Sequence, residues 1–196
     1  MTDAWARAAD KKRLAIKELE KLIPHYKYSD AKSAAMTNDK FCRLLLEKLR
    51  ISKDTLFGII NTCYEMHIDD GNGLKNLSKI RDELDIFLDE IKVIHLKWDD
   101  GIPQKWLEDI LSHDLNLIRN SEDIAKNLNS LFKKIISSKK RDAAFWKKIS
   151  GLDFAIEEQL DGMLRMFRER EALLGLKALS FEKAYHAARK DIAEKI

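Results

Sequence analysis

The segment from Asp142 to Gly175 contains no proline and places apolar side chains at steps of three, four and seven residues. Such steps form one continuous stripe along an α-helix, because the helix repeats every 3.6 residues. At 1.5 Å per residue the helix would be roughly 50 Å long, which exceeds the diameter of a compact domain of this size. We therefore expect a long helix that packs on other helices, on a partner chain, or on both. The stripe contains Phe145, Ile149, Leu152, Ile156, Leu160, Met163, Phe167 and Leu174.

The composition favours helices throughout. The 196 residues include only two prolines and seven glycines, which disfavours short strands joined by turns. We predict an all-α fold, an antiparallel bundle of about eight helices with one long C-terminal helix. The length suits a single domain over residues 1–196. A weak boundary near 139–142 would separate 142–196, the long helix with a C-terminal helix, from the rest.

Capping and breaking residues set the predicted helix boundaries. Pro24 ends the first helix because it cannot donate to the helical ladder. Thr37 and Ser52 are typical N-cap residues and would begin the second and third helices. Either Asn120 or Ser121 would begin the sixth helix. The eighth helix is predicted from about Ser180 to the end of the chain.

The cysteines and the amino-terminal residues bear on the cellular compartment. Cys42 and Cys63 both fall within apolar helical patterns, where a thiol behaves as a small hydrophobic group. Two cysteines of this kind indicate a reducing compartment. The first residues are polar and charged without an apolar core, so we predict no secretory signal and no membrane span. The expected location is the cytoplasm.

Charge is distributed unevenly along the chain. Residues 124–150 carry eight basic groups and one acidic group, whereas residues 65–123 carry seven and fifteen. Clustered cations release counterions from a nucleic-acid backbone, and the aromatic neighbours Phe145 and Trp146 would stack on bases if they were exposed. The same composition suits an anionic membrane surface. In the alternative, the lysines form a solvated face or pair with the acidic middle segment. The candidates are Lys133, Lys134, Lys139, Lys140, Arg141, Lys147 and Lys148.

Catalytic and metal-binding patterns are weak. No glutamate is followed by histidine three residues later, so the di-iron pattern of helical bundles is missing. The sequence also contains no nucleophile elbow and no glycine-rich phosphate loop. We therefore predict no catalytic residue, cofactor or bound metal. Two acidic clusters would suit a magnesium-dependent nucleotide hydrolase if they met in one pocket. They are Asp82, Asp85 and Asp89, and Glu157, Glu158 and Asp161.

The first functional hypothesis is a non-enzymatic helical interaction or scaffold protein that forms a homodimer, with a further protein partner as another option. Its basis is the mismatch between the length of the stripe and the size of one chain. The alternative is a nucleic-acid-binding protein that uses the basic segment 133–148, and the second alternative is the magnesium-dependent all-α nucleotide hydrolase. The predicted dimer interface consists of Ile156, Leu160, Met163, Phe167 and Leu174.

Overall fold

The computed structural model describes residues 13–66, 71–93, 102, 104–138 and 143–174. These residues form five helices and no strand, which confirms the all-α prediction for this part of the chain. The eighth helix predicted from about Ser180 lies outside the described residues. The helices are α1 (13–22), α2 (Ala31–Glu65), α3 (Gly71–Val93), α4 (Gln104–Ser137) and α5 (Ala143–Leu173).

The prediction of about eight helices was wrong because two serines do not begin new helices. Ser52 lies inside α2, where its hydroxyl donates to the carbonyl oxygen of Lys48 at 3.3 Å. Ser121 lies inside α4 and donates to the carbonyl oxygen of Ile118 at 2.7 Å. A serine can satisfy its hydroxyl on the preceding turn of a helix as well as at an N-cap. The predicted second and third helices are therefore one helix, and so are the fifth and sixth.

The prediction of one exceptional long C-terminal helix also needs correction. α5 runs unbroken for 31 residues, but α2 has 35 residues and α4 has 34. Several helices of comparable length can cover one another along their whole extent. The length of α5 therefore does not by itself require a partner chain.

The four helices α2 to α5 form a square bundle. Both α2 and α5 pack against α3 and α4, which places α2 and α5 on one diagonal. α3 and α5 run in the same direction, because Lys79 contacts Glu157 and Glu90 contacts Arg168. α4 and α5 run in opposite directions, because Asp114 contacts Arg170 while Asn127 lies near Gln159 further up the pair. The bundle thus combines antiparallel and parallel neighbours rather than the purely antiparallel packing predicted.

A short segment, residues 23–30, connects α1 to α2. Asp30 caps α2, since its Oδ1 accepts a hydrogen bond from the Ser33 amide at 2.9 Å. α2 consequently begins several residues before the predicted cap at Thr37, whose side chain instead accepts from the amide of Lys27 in this segment at 3.1 Å. Across the described parts of the chain, no helix combines the length and apolarity needed to cross a bilayer. The single-domain prediction stays a prediction.

Candidate functional site

The predicted dimer interface on α5 is buried within the chain's own bundle. Ile156, Leu160, Met163, Phe167 and Leu174 all belong to the hydrophobic core. The ring centroid of Phe167, for example, lies 5.5 Å from that of Phe87 on α3. This corrects the argument for a dimer through this stripe, because α3 and α4 already cover side chains that were expected to need a second copy.

Members of both acidic clusters pair with cations. Asp85 pairs with Lys53 of α2, Asp82 with Arg81, and Glu157 with Lys79. Among the described residues, no group of three histidine, cysteine, aspartate or glutamate side chains is placed to hold a metal ion. Nothing in this geometry therefore favours the nucleotide hydrolase.

The basic candidates fall at one end of the bundle. Lys133 and Lys134 lie in the last two turns of α4, and Lys147 lies in the second turn of α5. Because α4 and α5 are antiparallel and consecutive, these three residues share the end where the two helices connect. Lys133 and Lys147 are exposed, and Lys134 is partly exposed. We call Lys133, Lys134 and Lys147 the basic end. Of the other predicted cations, Lys139, Lys140 and Arg141 lie outside the described residues, as does the side chain of Lys148.

Described carboxylates of the acidic middle segment pair with cations outside the basic end. Three examples are Glu90 with Arg168, Asp114 with Arg170, and Glu122 with Lys48. Within the described part of the chain, none of the three lysines of the basic end makes an ion pair. Of the two alternatives left open by the sequence, pairing with the middle segment is therefore unsupported for these three residues.

A buried polar centre, which we did not predict, connects α4, α5 and the segment between α1 and α2. Asp114 of α4 is fully buried and accepts hydrogen bonds from the hydroxyls of Tyr26 at 2.6 Å and Tyr28 at 3.0 Å. It also accepts from Nε of Arg170 on α5. The segment between α1 and α2 is thereby attached to both α4 and α5.

Arg170 is the centre of this network and has no exposed surface. Its Nη1 donates to Asn38 Oδ1 at 2.6 Å and to Glu171 Oε1 at 2.7 Å, and its Nη2 donates to the Tyr28 hydroxyl at 2.9 Å. The guanidinium carbon lies 4.1 Å from the centre of the Phe41 ring. Burial lowers the pKa of Arg170, but the neighbouring anions, Asp114 first among them, outweigh that effect and hold the pKa well above its usual value.

The buried centre links α2, α4 and α5 inside the core and is closed to ligands. Arg170 and Asp114 are both wholly inaccessible, so no solute reaches them in this conformation. A signal in the sequence was available: Asp114 falls at a core position among the apolar residues of α4, and Arg170 continues the stripe three residues after Phe167. Charged residues at core positions of a helical period indicate a buried pair.

Replacing Tyr28 with phenylalanine should lower the free energy of unfolding by about 1.5 to 3 kcal/mol, the range for hydrogen bonds to charged groups. The hydroxyl of Tyr28 both accepts from Arg170 and donates to Asp114, so its loss leaves two partners incompletely satisfied. Chemical denaturation measures the change. Tyr64→Phe is the control, because Tyr64 is exposed, and an equal effect in both variants would contradict the role of the Tyr28 hydroxyl.

Two other buried carboxyl groups are incompletely paired. Neither oxygen of Asp153 on α5 has a hydrogen-bond partner, although only 1% of the residue is exposed. Burial raises the pKa of Asp153 to about 7. Glu171 bonds Arg170 through one oxygen while the other lacks a partner. Burial raises its pKa to about 7 against the opposing effect of Arg170. Both groups therefore take up protons in the folded protein near neutral pH.

Several large apolar side chains remain exposed on the outer faces of the bundle. α2 exposes Ile51, Phe57 and Tyr64, and α5 exposes Phe154. Phe154 is exposed by 66%, and Phe57 by 54%. Single exposed apolar residues are common on soluble proteins, so their placement relative to charged groups decides whether they suggest a site.

Comparison of this chain with protein-family models, with curated proteins and with solved structures found no match. Any functional argument consequently rests on the placement of its own residues.

Proposed function

We propose that this chain is a non-enzymatic helical binding protein whose basic end binds the phosphate backbone of a nucleic acid. The observation that carries the proposal is that some lysines of the chain form ion pairs with described residues and others do not. Lys48, Lys53 and Lys79 pair with acidic residues of the neighbouring helices. The lysines of the basic end pair with no described residue.

Lysines that pair with no described residue suit phosphate binding for a physical reason. Each lysine that contacts a phosphate releases condensed counterions into solution, and this release drives binding without any base-specific contact. Lysines already paired with carboxylates would lose those partners on binding and so contribute less. The end where α4 and α5 connect thus presents three such lysines on two neighbouring helices.

Neutralising the basic end should weaken nucleic-acid binding and flatten its dependence on salt. For the variant with Lys133, Lys134 and Lys147 changed to glutamine, the slope of log K against log salt should fall in magnitude by up to about 2, at about 0.7 per lost contact with a single strand. Fluorescence anisotropy of a labelled oligonucleotide at several salt concentrations measures both quantities.

The matched control changes the same net charge elsewhere. Lys17, Lys21 and Lys32 are exposed on α1 and the first turn of α2, so their replacement by glutamine should alter binding much less. Equal losses in the two triple variants would show that only overall charge matters. Failure of the wild-type chain to bind heparin or any oligonucleotide at low salt would reject the proposal.

An interaction or scaffold protein with a protein partner is the second candidate. It is favoured by Phe57 and Tyr64, which are seven residues apart and expose aromatic surface on one face of α2, and by Ile51, which is exposed on another side of the same helix. Large exposed apolar and aromatic groups commonly anchor protein interfaces. If the partner is a second copy, light scattering will give a dimer mass that the Phe57→Glu variant reduces. A monomer at all accessible concentrations excludes the homodimer.

A further inference from the structure

The most exposed large apolar side chain on α5 lies close to the basic end. Phe154 is exposed by 66% and projects from the side of α5 opposite its buried residues, such as Ile156. Lys147 precedes it by seven residues, which is close to two helical turns. The two side chains therefore lie on one face, separated by about 10 Å along the helix axis.

Gly151 lies between them on the same face. An added Cβ at this glycine would meet no other atom within 4 Å, so the surface between Lys147 and Phe154 is open. An approaching ligand can contact the lysine and the phenylalanine together without displacing a side chain at position 151. The face thus offers a cation, an open interval and an aromatic ring in a line along α5.

We propose that this face of α5 extends the basic end into a platform for single-stranded nucleic acid, with Phe154 stacking on an unpaired base and Lys147 contacting the backbone. The inference rests on the proposed function and names the form of nucleic acid that the site binds. Exposed aromatic rings beside cations are the usual means of binding single strands without reading their sequence.

The aromatic ring discriminates between single and double strands. In a duplex the faces of the bases are covered by their stacked neighbours, and exposing one requires unstacking that costs a few kcal/mol. In a single strand a base can turn outward and stack on Phe154 at little cost. Lysine contacts alone would not give such a preference, since both forms carry phosphates.

The test compares a labelled single-stranded oligonucleotide with the duplex of the same sequence in fluorescence anisotropy titrations. We expect a lower dissociation constant for the single strand than for the duplex, when each is corrected for the number of binding sites on the oligonucleotide. Phe154→Ala should weaken single-strand binding by about 5- to 150-fold, the range for loss of one stacked base, and should leave the salt slope and duplex binding unchanged. Since Phe154 is exposed, the variant should retain the wild-type melting temperature, which circular dichroism checks.

Phe57→Ala is the matched control, because it removes an equally large exposed ring from α2, diagonally across the bundle. It should not change binding. If neither oligonucleotide binds, the proposed function fails and this inference fails with it. If both bind but Phe154→Ala has no effect, or the two alanine variants lose affinity equally, the stacking platform is rejected while the phosphate-binding proposal survives.

Discussion

Replacing Arg170 with methionine should lower the free energy of unfolding by about 3 to 5 kcal/mol, the usual cost of removing one partner of a buried ion pair. Methionine retains most of the side-chain volume, so the loss is mainly electrostatic. Asp114 would keep a buried negative charge with only the hydroxyls of Tyr26 and Tyr28 to stabilise it. Urea denaturation followed by circular dichroism measures the change.

Arg165→Met is the matched control on the same helix. Arg165 is exposed, and substitutions at such positions usually change stability by less than about 0.5 kcal/mol. The double variant Asp114→Asn with Arg170→Met provides a second test, since its loss should be smaller than the sum of the two single losses. Equal denaturation midpoints for Arg170→Met and Arg165→Met would contradict the stabilising role of the buried centre.

Replacing Asp153 with asparagine should stabilise the protein at pH 8 and reduce the dependence of its stability on pH. Burial raises the pKa of Asp153 from 3.8 to about 7, and neither of its oxygens has a hydrogen-bond partner. Asparagine resembles the protonated acid and carries no charge. It therefore avoids the cost of burying an unpaired carboxylate, a cost that the wild-type protein bears at pH 8.

The direction of the change in stability with pH follows from the number of protons that the folded and unfolded states bind. Between about pH 4 and pH 7 the folded protein holds a proton on Asp153 that the unfolded chain has released, so stability falls as the pH rises through this window. The pKa of Asp153 differs between the folded and unfolded states by about three, which corresponds to roughly 4 kcal/mol. This is the upper limit of the gain in the free energy of unfolding that we expect for Asp153→Asn at pH 8. Urea denaturation of both proteins at pH 5 and pH 8 measures it.

Glu158→Gln is the control for this experiment, since Glu158 is an exposed acid on the same helix. It should change the pH dependence much less than Asp153→Asn does. Some pH dependence should persist in Asp153→Asn, because burial also raises the pKa of Glu171 to about 7. A wild-type protein that is no less stable at pH 8 than at pH 5 would contradict the assignment of buried, protonated acids.

The sequence was sufficient for the fold class and for the buried side of α5. Apolar spacing in α5 correctly placed Ile156, Met163 and Phe167 on one face, because that periodicity is a local property of the helix. It did not reveal which surface covers that face. Helix ends were also uncertain, since Ser52 and Ser121 carry the same hydroxyl whether they cap a helix or bond to its preceding turn.

Only the tertiary structure decided which residues distant in the sequence contact one another. Asp114 and Arg170 are 56 residues apart, and Tyr28 and Arg170 are 142 apart, so no local pattern relates them. The same holds for the basic end. The sequence located its lysines, but only the packing of the helices shows that they form no ion pair with another described residue. Periodicity determines which side of a helix is apolar, but the free energy of burying that side is realised only when particular helices meet.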